Sequence, residues 1–150
     1  LGQVSQGIEP IWSNCYVKDI AKIKTTIKNP YLMELLEEKG MNVAEVWKDI
    51  RDHDGSVQHL EFLTDEEKAV FKTYSELDQL DIVYQAAARQ HHIDQGQSLN
   101  IIVHPEMPVK QINKIHVTAW KLGLKSMYYQ HSMNAAQKFR QKKECTSCEA

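Results

Sequence analysis

Apolar positions along the chain fall into short periodic stretches separated by polar turns. Between Tyr16 and Lys28, the residues Val17, Ile20, Ile23 and Ile27 recur every three to four positions, the spacing of one helix face. The β-branched run Thr25-Thr26-Ile27 also suits an extended segment. Asn29-Pro30 is a clearer helix start, because Asn can cap open backbone N–H groups and Pro has the φ of a first turn. The helix that follows puts Leu32, Leu35 and Leu36 on one face and ends at Gly40. A second helix is predicted over residues 43–52, stopped by Asp54-Gly55. Thr64-Asp65-Glu66-Glu67 has the form of a capping box, and Val70, Phe71 and Tyr74 give a short apolar face beyond it.

From Ser75 onward, Leu77, Leu80, Val83, Tyr84 and Ala87 form a longer amphipathic helix that ends near His91-His92. Residues 98–103, bounded by Gly96 and Pro105, are short and β-rich and predict a buried strand. Pro108 opens a helix with the stripe Val109, Ile112, Ile115, Ala119 and Leu122; Gly123 ends it, and residues 124–130 predict another strand. Strand, helix, strand in this order is the pattern of a parallel crossover unit. The first sixteen residues, with Gly7, Pro10, Ser13 and Asn14, predict connecting structure. Residues 133–150 carry Lys and Arg but almost no apolar periodicity, and predict a flexible tail.

Composition adds limits. With 150 residues, 42% apolar and 25% charged, the chain has room for one domain with its own core. A net charge of −2 points to neither nucleic acid nor an anionic membrane as partner. No apolar run approaches the roughly 18–20 residues of a membrane-spanning helix. The start, Leu1-Gly2-Gln3-Val4, lacks the pattern of a secretory leader and lacks Met, so the expectation is a chain that begins inside a longer sequence. Three cysteines with one Cys-x-x-Cys pair suit a reducing compartment, and the expected location is cytoplasmic.

Two features carry chemistry. Cys145-Thr146-Ser147-Cys148 lies near the end of the tail, where two thiols can close a small-ring disulfide. Lys138, Arg140, Lys142 and Lys143 favour the thiolate, while Glu144 and Glu149 oppose it. The pair is read as a dithiol that carries reducing equivalents, as half a zinc site, or as two unremarkable thiols. Zinc wants a second ligand pair, which only His91-His92 could supply by coincidence of folding. The second feature is Tyr128-Tyr129. Adjacent tyrosines are most often packing, yet a phenol can lose an electron and a proton together, so two in contact would make a relay. Neighbours on a regular strand point to opposite faces, so contact requires a twist or break there.

Other residues read as structural. Cys15 packs as a small hydrophobe, and His91 and His92 sit favourably at a helix C-terminus. Asp94, Gln95, Gln97 and Asn100 suggest a buried amide network. There is no phosphate-cradling glycine loop, no Ser/His/Asp ordering and no metal cluster.

Gly7-Ile8-Glu9-Pro10, Ser13-Asn14, Asn29-Pro30-Tyr31-Leu32 and Asp54-Gly55-Ser56-Val57 occur in that order along the chain. Asp94-Gln95-Gly96-Gln97-Ser98-Leu99-Asn100, Trp120-Lys121-Leu122-Gly123-Leu124-Lys125 and Met127-Tyr128-Tyr129 follow. Together with the terminal Cys pair, they resemble the C-terminal segment of the class I ribonucleotide reductase large (alpha, catalytic) subunit. The resemblance implies an α/β fold in which residues 1–132 are the C-terminal portion of a ten-stranded, helix-rich barrel and residues 133–150 are a flexible redox tail. It implies reduction of ribonucleoside diphosphates to deoxyribonucleoside diphosphates by radical chemistry. Tyr128 and Tyr129 would pass oxidising equivalents from a small, metal-containing subunit. Cys145 and Cys148 would re-reduce the active site and be reduced in turn by thioredoxin or glutaredoxin.

The thiyl-forming and reducing cysteines, the acid–base Asn and Glu, and the substrate-diphosphate loop would belong to the upstream part of the large subunit. Sites for the nucleotide effectors ATP, dATP and other dNTPs would lie there too. This segment would hold no cofactor of its own, and alone it would expose strand edges and dissolve poorly. The alternative is a small helical interaction module with a zinc- or redox-responsive Cys-x-x-Cys tail.

Overall fold

In the computed structural model, which describes residues 8–20 and 23–132, the stretch from Cys15 to Lys28 is an antiparallel hairpin and not a helix. Strand β1 (Cys15–Ile20) pairs with β2 (Ile23–Lys28) in the register Cys15↔Lys28 to Ile20↔Ile23. Six of its residues, Val17, Ile20, Ile23, Thr25, Thr26 and Ile27, are β-branched, and this preference outweighs the coincidental helical spacing. The hairpin's base is tied where the Asn29 amide donates to the Asn14 carbonyl at 2.8 Å.

The chain forms two compact units, Leu1–Glu76 and Leu77–Ala150. In the first, helix α1 (Pro30–Glu38) starts as its sequence predicts, with the Asn29 carboxamide oxygen accepting from the Tyr31 amide at 3.1 Å. At its end Gly40 takes φ +67°, its amide donates to the Glu37 carbonyl, and the Met41 amide donates to the Leu36 carbonyl. That bond pair is the Schellman closure. Helix α2 (Ala44–Asp52) buries Trp47 and Ile50, and the chain then reverses through Asp54 and Gly55 at φ +57° and +82°. Helix α3 (Asp65–Val70) opens with the capping box Thr64/Glu67. The Thr64 amide and the Lys39 ammonium hold the Glu67 carboxyl below its usual range. Of the apolar face read beyond that box, Phe71 and Tyr74 are buried whereas Val70 faces solvent.

The core of this unit is built from Leu32, Leu36, Trp47, Ile50, Val57 and Phe71, with Cys15 among them. Burial pushes the Cys15 thiol up, so it packs as an inert apolar group, as its sequence context suggests. Tyr74 is fully buried, meets Trp12 edge-on at 5.2 Å, and is pushed up to about 12 by burial and by Glu9. Asn14 is buried as well. Its carboxamide nitrogen donates to the Gly55 and Phe71 carbonyls at 2.9 and 2.7 Å, and its oxygen accepts from the Asn29 side chain at 2.8 Å.

In the second unit, helix α4 (Gln79–Gln90) begins at an Asp78 cap, later than the expected Ser75, because Tyr74–Glu76 forms a separate 3₁₀ turn. The buried stripe is therefore Ile82, Val83, Ala86 and Ala87, and Tyr84 faces solvent. Strand β3 (Ile101–Ile102), helix α5 (Val109–Lys121) and strand β4 (Gln130–His131) form the expected crossover, with β3 and β4 parallel. Ile115 and Ala119 carry the packing of α5, whereas Val109 is exposed. Gly123, at φ +77°, closes the helix with a second Schellman pair, donating to Trp120 while Leu124 donates to Ala119.

The strand expected over residues 124–130 is regular only at its end, because pairing begins at the bond from the Tyr128 amide to the Leu99 carbonyl. Among the described residues the strands make two two-stranded sheets and no closed sheet. No helix among them is long and apolar enough to cross a membrane. The expected tail, residues 133–150 with Cys145 and Cys148, lies outside the described residues.

Candidate functional site

Tyr128 and Tyr129 sit at the entrance to β4, in a stretch without regular strand geometry. That irregularity removes the objection raised by strand alternation. The two rings lie 4.1 Å apart between centroids, inclined at 58°. The Tyr129 hydroxyl beside it raises the Tyr128 phenol above its ordinary range, with desolvation adding to the effect. Both residues are more than half exposed, at 60% and 56%. His131 lies edge-on to Tyr129 at 5.9 Å and extends the aromatic row.

The backbone under the pair is fixed residue by residue. The Tyr128 amide donates to the Leu99 carbonyl at 2.8 Å, the Tyr129 amide to the Asn100 side chain at 3.2 Å, and the Ile101 amide to the Tyr129 carbonyl at 3.0 Å. Leu99 and Ile101 are buried, so the tyrosines hang from the core of their unit.

The loop preceding β3 is held by amides, as its composition suggests, although the members differ in part. Gln97 donates to the Ala86 carbonyl at 2.8 Å and to the Gln90 side chain at 3.2 Å, and accepts from Arg89. Gln90, buried, donates to the Ile93 and Gln95 carbonyls at 2.9 and 3.0 Å. Asp94 and Gln95 are exposed and contribute backbone carbonyls, Asp94 accepting from the Lys125 ammonium. Ser126 bonds the Gln97 carbonyl at 3.2 Å, and a Cβ at Gly96 would come within 2.5 Å of its hydroxyl and turn it out of that bond. The network thereby reaches from α4 to the segment that carries the tyrosines. A Gln97→Ala substitution, which strands two buried partners, is expected to cost about 2 kcal/mol in urea unfolding and to speed amide exchange at Tyr128 and Tyr129.

Sequence reasoning missed Gln90 and Gln79, whose carboxamide oxygen accepts from the Ile102 amide at 2.8 Å. Glutamines on an amphipathic helix look like its solvent face, and only the distant partner reveals them. It also missed a convergence of Asp49, His53 and His59 in the first unit. His91 and His92 are exposed beyond the end of α4 and belong to no metal-ligand cluster among the described residues.

Residues 1–130 match the family model described as ribonucleotide reductase, barrel domain. The chain is 42% identical over 132 residues to a ribonucleoside-diphosphate reductase large subunit of Invertebrate iridescent virus 3, covering 86% of this chain and 21% of that protein. A ribonucleoside-diphosphate reductase subunit alpha of Chlamydia trachomatis is 38% identical over 133 residues, covering 88% of this chain and 12% of that protein. In structure, the chain is similar to the Actinobacillus ureae class Id ribonucleotide reductase alpha subunit, with a TM-score of 0.80 and 53% identity over 92% of this chain and 25% of that one.

Proposed function

Because the chain belongs to the ribonucleotide reductase large-subunit family and corresponds to a C-terminal segment of its α/β barrel domain, we propose that Tyr128 and Tyr129 form the radical relay of a ribonucleoside-diphosphate reductase. The single observation that carries the reading is the ring contact at 4.1 Å between two half-exposed phenols. An oxidising equivalent from a small, metal-containing subunit would leave each phenol in turn without an electron and a proton. Each phenol regains both when the equivalent moves on, so the pair is unchanged after turnover.

The reaction centre would be supplied by the upstream part of the large subunit, together with the strands that complete a ten-stranded barrel. Nucleotide effectors would bind there as well. Replacing the ribose 2′-hydroxyl by hydrogen releases water and takes two electrons, which a dithiol supplies as it becomes a disulfide. Cys145 and Cys148 would reduce that disulfide by thiol exchange, becoming oxidised, and thioredoxin or glutaredoxin would return them to thiols. A cytoplasmic setting suits this cycle, since its poise keeps thiols reduced. Family membership replaces the alternative of an unrelated interaction module.

The test is reconstitution. Combined with the upstream part and the small subunit, the chain is expected to restore diphosphate reduction. Cys145→Ser or Cys148→Ser should end turnover with thioredoxin after about one cycle, because exchange requires an attacking thiolate and a resolving partner. A pre-reduced enzyme should still complete that single cycle at the normal rate. Sustained turnover in either variant would remove the tail from the scheme.

A further inference from the structure

We propose that Asp49, His53 and His59 form a binding site for a borderline divalent transition-metal ion such as Zn(II), Co(II) or Ni(II). The site stands apart from the radical chemistry, since none of the three residues enters the relay. Asp49 lies in the last turn of α2 and His53 caps that helix four residues later. The reversal at Asp54 and Gly55 then brings His59 back to the same helix end.

The return is fixed and not fortuitous. The Gly55 amide donates to the Ile50 carbonyl at 2.8 Å, Ser56 to His53 at 3.0 Å, and Leu60 to Val57 at 3.1 Å. Val57 and Leu60, on either side of the His59 segment, are buried in the core. His59 is therefore presented from an anchored loop.

The donor atoms converge. His53 Nδ1 lies 3.1 Å from Asp49 Oδ1, His59 Nε2 lies 2.9 Å from Asp49 Oδ2, and the imidazoles stack at 3.8 Å with an angle of 22°. One ligand atom from each residue lies within 4.8 Å of the others. Without an ion, His59 Nε2 meets Asp49 Oδ2 at 2.9 Å, and His53 Nδ1 meets both Asp49 Oδ1, at 3.1 Å, and the Asp49 main-chain carbonyl, at 2.9 Å. A divalent ion in the same space would take one lone pair from each of the three residues in place of those contacts.

Bonds of about 2.0–2.1 Å require the donors to close somewhat. The side chains of Asp49 and His53 are 45% and 52% exposed, so they can rotate without disturbing the core. Two imidazoles and one carboxylate select this class of ion over Mg²⁺ or Ca²⁺, which prefer all-oxygen sites. Water completes the coordination. The ion would clasp the end of α2 to the loop that follows, so binding adds to stability.

The experiment uses the full 150-residue chain in a Cys145→Ser/Cys148→Ser background, because the tail thiols would also take the metal. Cobalt(II) is titrated and followed by its visible absorption, with zinc as competitor and thermal unfolding as a second readout. The expected result is one saturable equivalent, no thiolate-to-cobalt charge-transfer band, and a melting temperature that rises with metal and not with Mg²⁺. His53→Gln and His59→Gln should each weaken binding roughly tenfold or more, while His116→Gln on α5 should leave it unchanged. Paramagnetic broadening of amides 49–59 in the chain with all its histidines gives the same answer without a substituted ligand. Absence of a saturable equivalent, unchanged affinity in the His53 and His59 variants, or broadening centred elsewhere would overturn the site.

Discussion

Replacing Tyr128 or Tyr129 by Phe is expected to abolish nucleotide reduction in the reconstituted enzyme, by about 10³-fold or more, and to leave assembly and melting temperature unchanged. A loss of that size corresponds to roughly 4 kcal/mol of barrier. It follows from chemistry and not from packing. Phe keeps the ring and its contact at 4.1 Å, but it has no O–H from which an electron and a proton can leave together. Both side chains are more than half exposed, so losing a hydroxyl strands no buried partner. The two substitutions should also be equivalent, since a series path is broken by either gap. Deoxynucleotide formation, measured beside small-subunit binding, checks the result. Full activity in either variant would remove that residue from the path.

The second large effect concerns stability. Gly55→Ala is expected to destabilise the first unit by about 3 kcal/mol or more. Gly55 has φ +82°, and an added Cβ would stand 2.7 Å from the Asn14 amide nitrogen and 2.7 Å from Ser13 Cβ. The first obstacle is backbone and cannot swing aside. Moving it also disturbs the Gly55 carbonyl, which accepts from both the Asn14 amide and its side chain. Gly40→Ala is the control. It shares a positive φ, +67°, but nothing lies within 4 Å of its Cβ, so only the left-handed conformation is penalised, by about 1–2 kcal/mol. Equal losses at the two glycines, read by urea unfolding through buried Trp47, would contradict the steric argument.

What could be read from the sequence was whatever a few neighbouring residues decide. Asn29-Pro30 with Gly40, the Thr64/Glu67 box and Gly123 all act within one helical turn, and all stand where expected. The parallel crossover was legible because its strands and helix differ in period and in punctuation. The hairpin was not, since β-branched residues spaced three to four apart satisfy both helix and strand rules.

Asn14 illustrates the harder class. Its partners are 41 and 57 residues away, so nothing near it in the chain marks it as the amide that joins three segments. The histidine pair is close in sequence, but its meeting depends on the left-handed turn at Asp54, which residue type alone does not announce. For the tyrosines, the sequence supplied the residues and the family pattern, while their contact depended on where regular strand pairing begins.

In the proposed relay, the three bonds that tie Tyr128 and Tyr129 to Leu99, Asn100 and Ile101 bear on how fast a charge can hop. An electron moves readily between two sites when few nuclei must shift to receive it. Here the main chain is already clamped to buried neighbours, so the remaining adjustment falls on the water around two exposed rings. A protein surface laid over those rings would expel that water and lower the reorganisation the hop demands. Docking of a partner would thus set the speed of the proposed transfer.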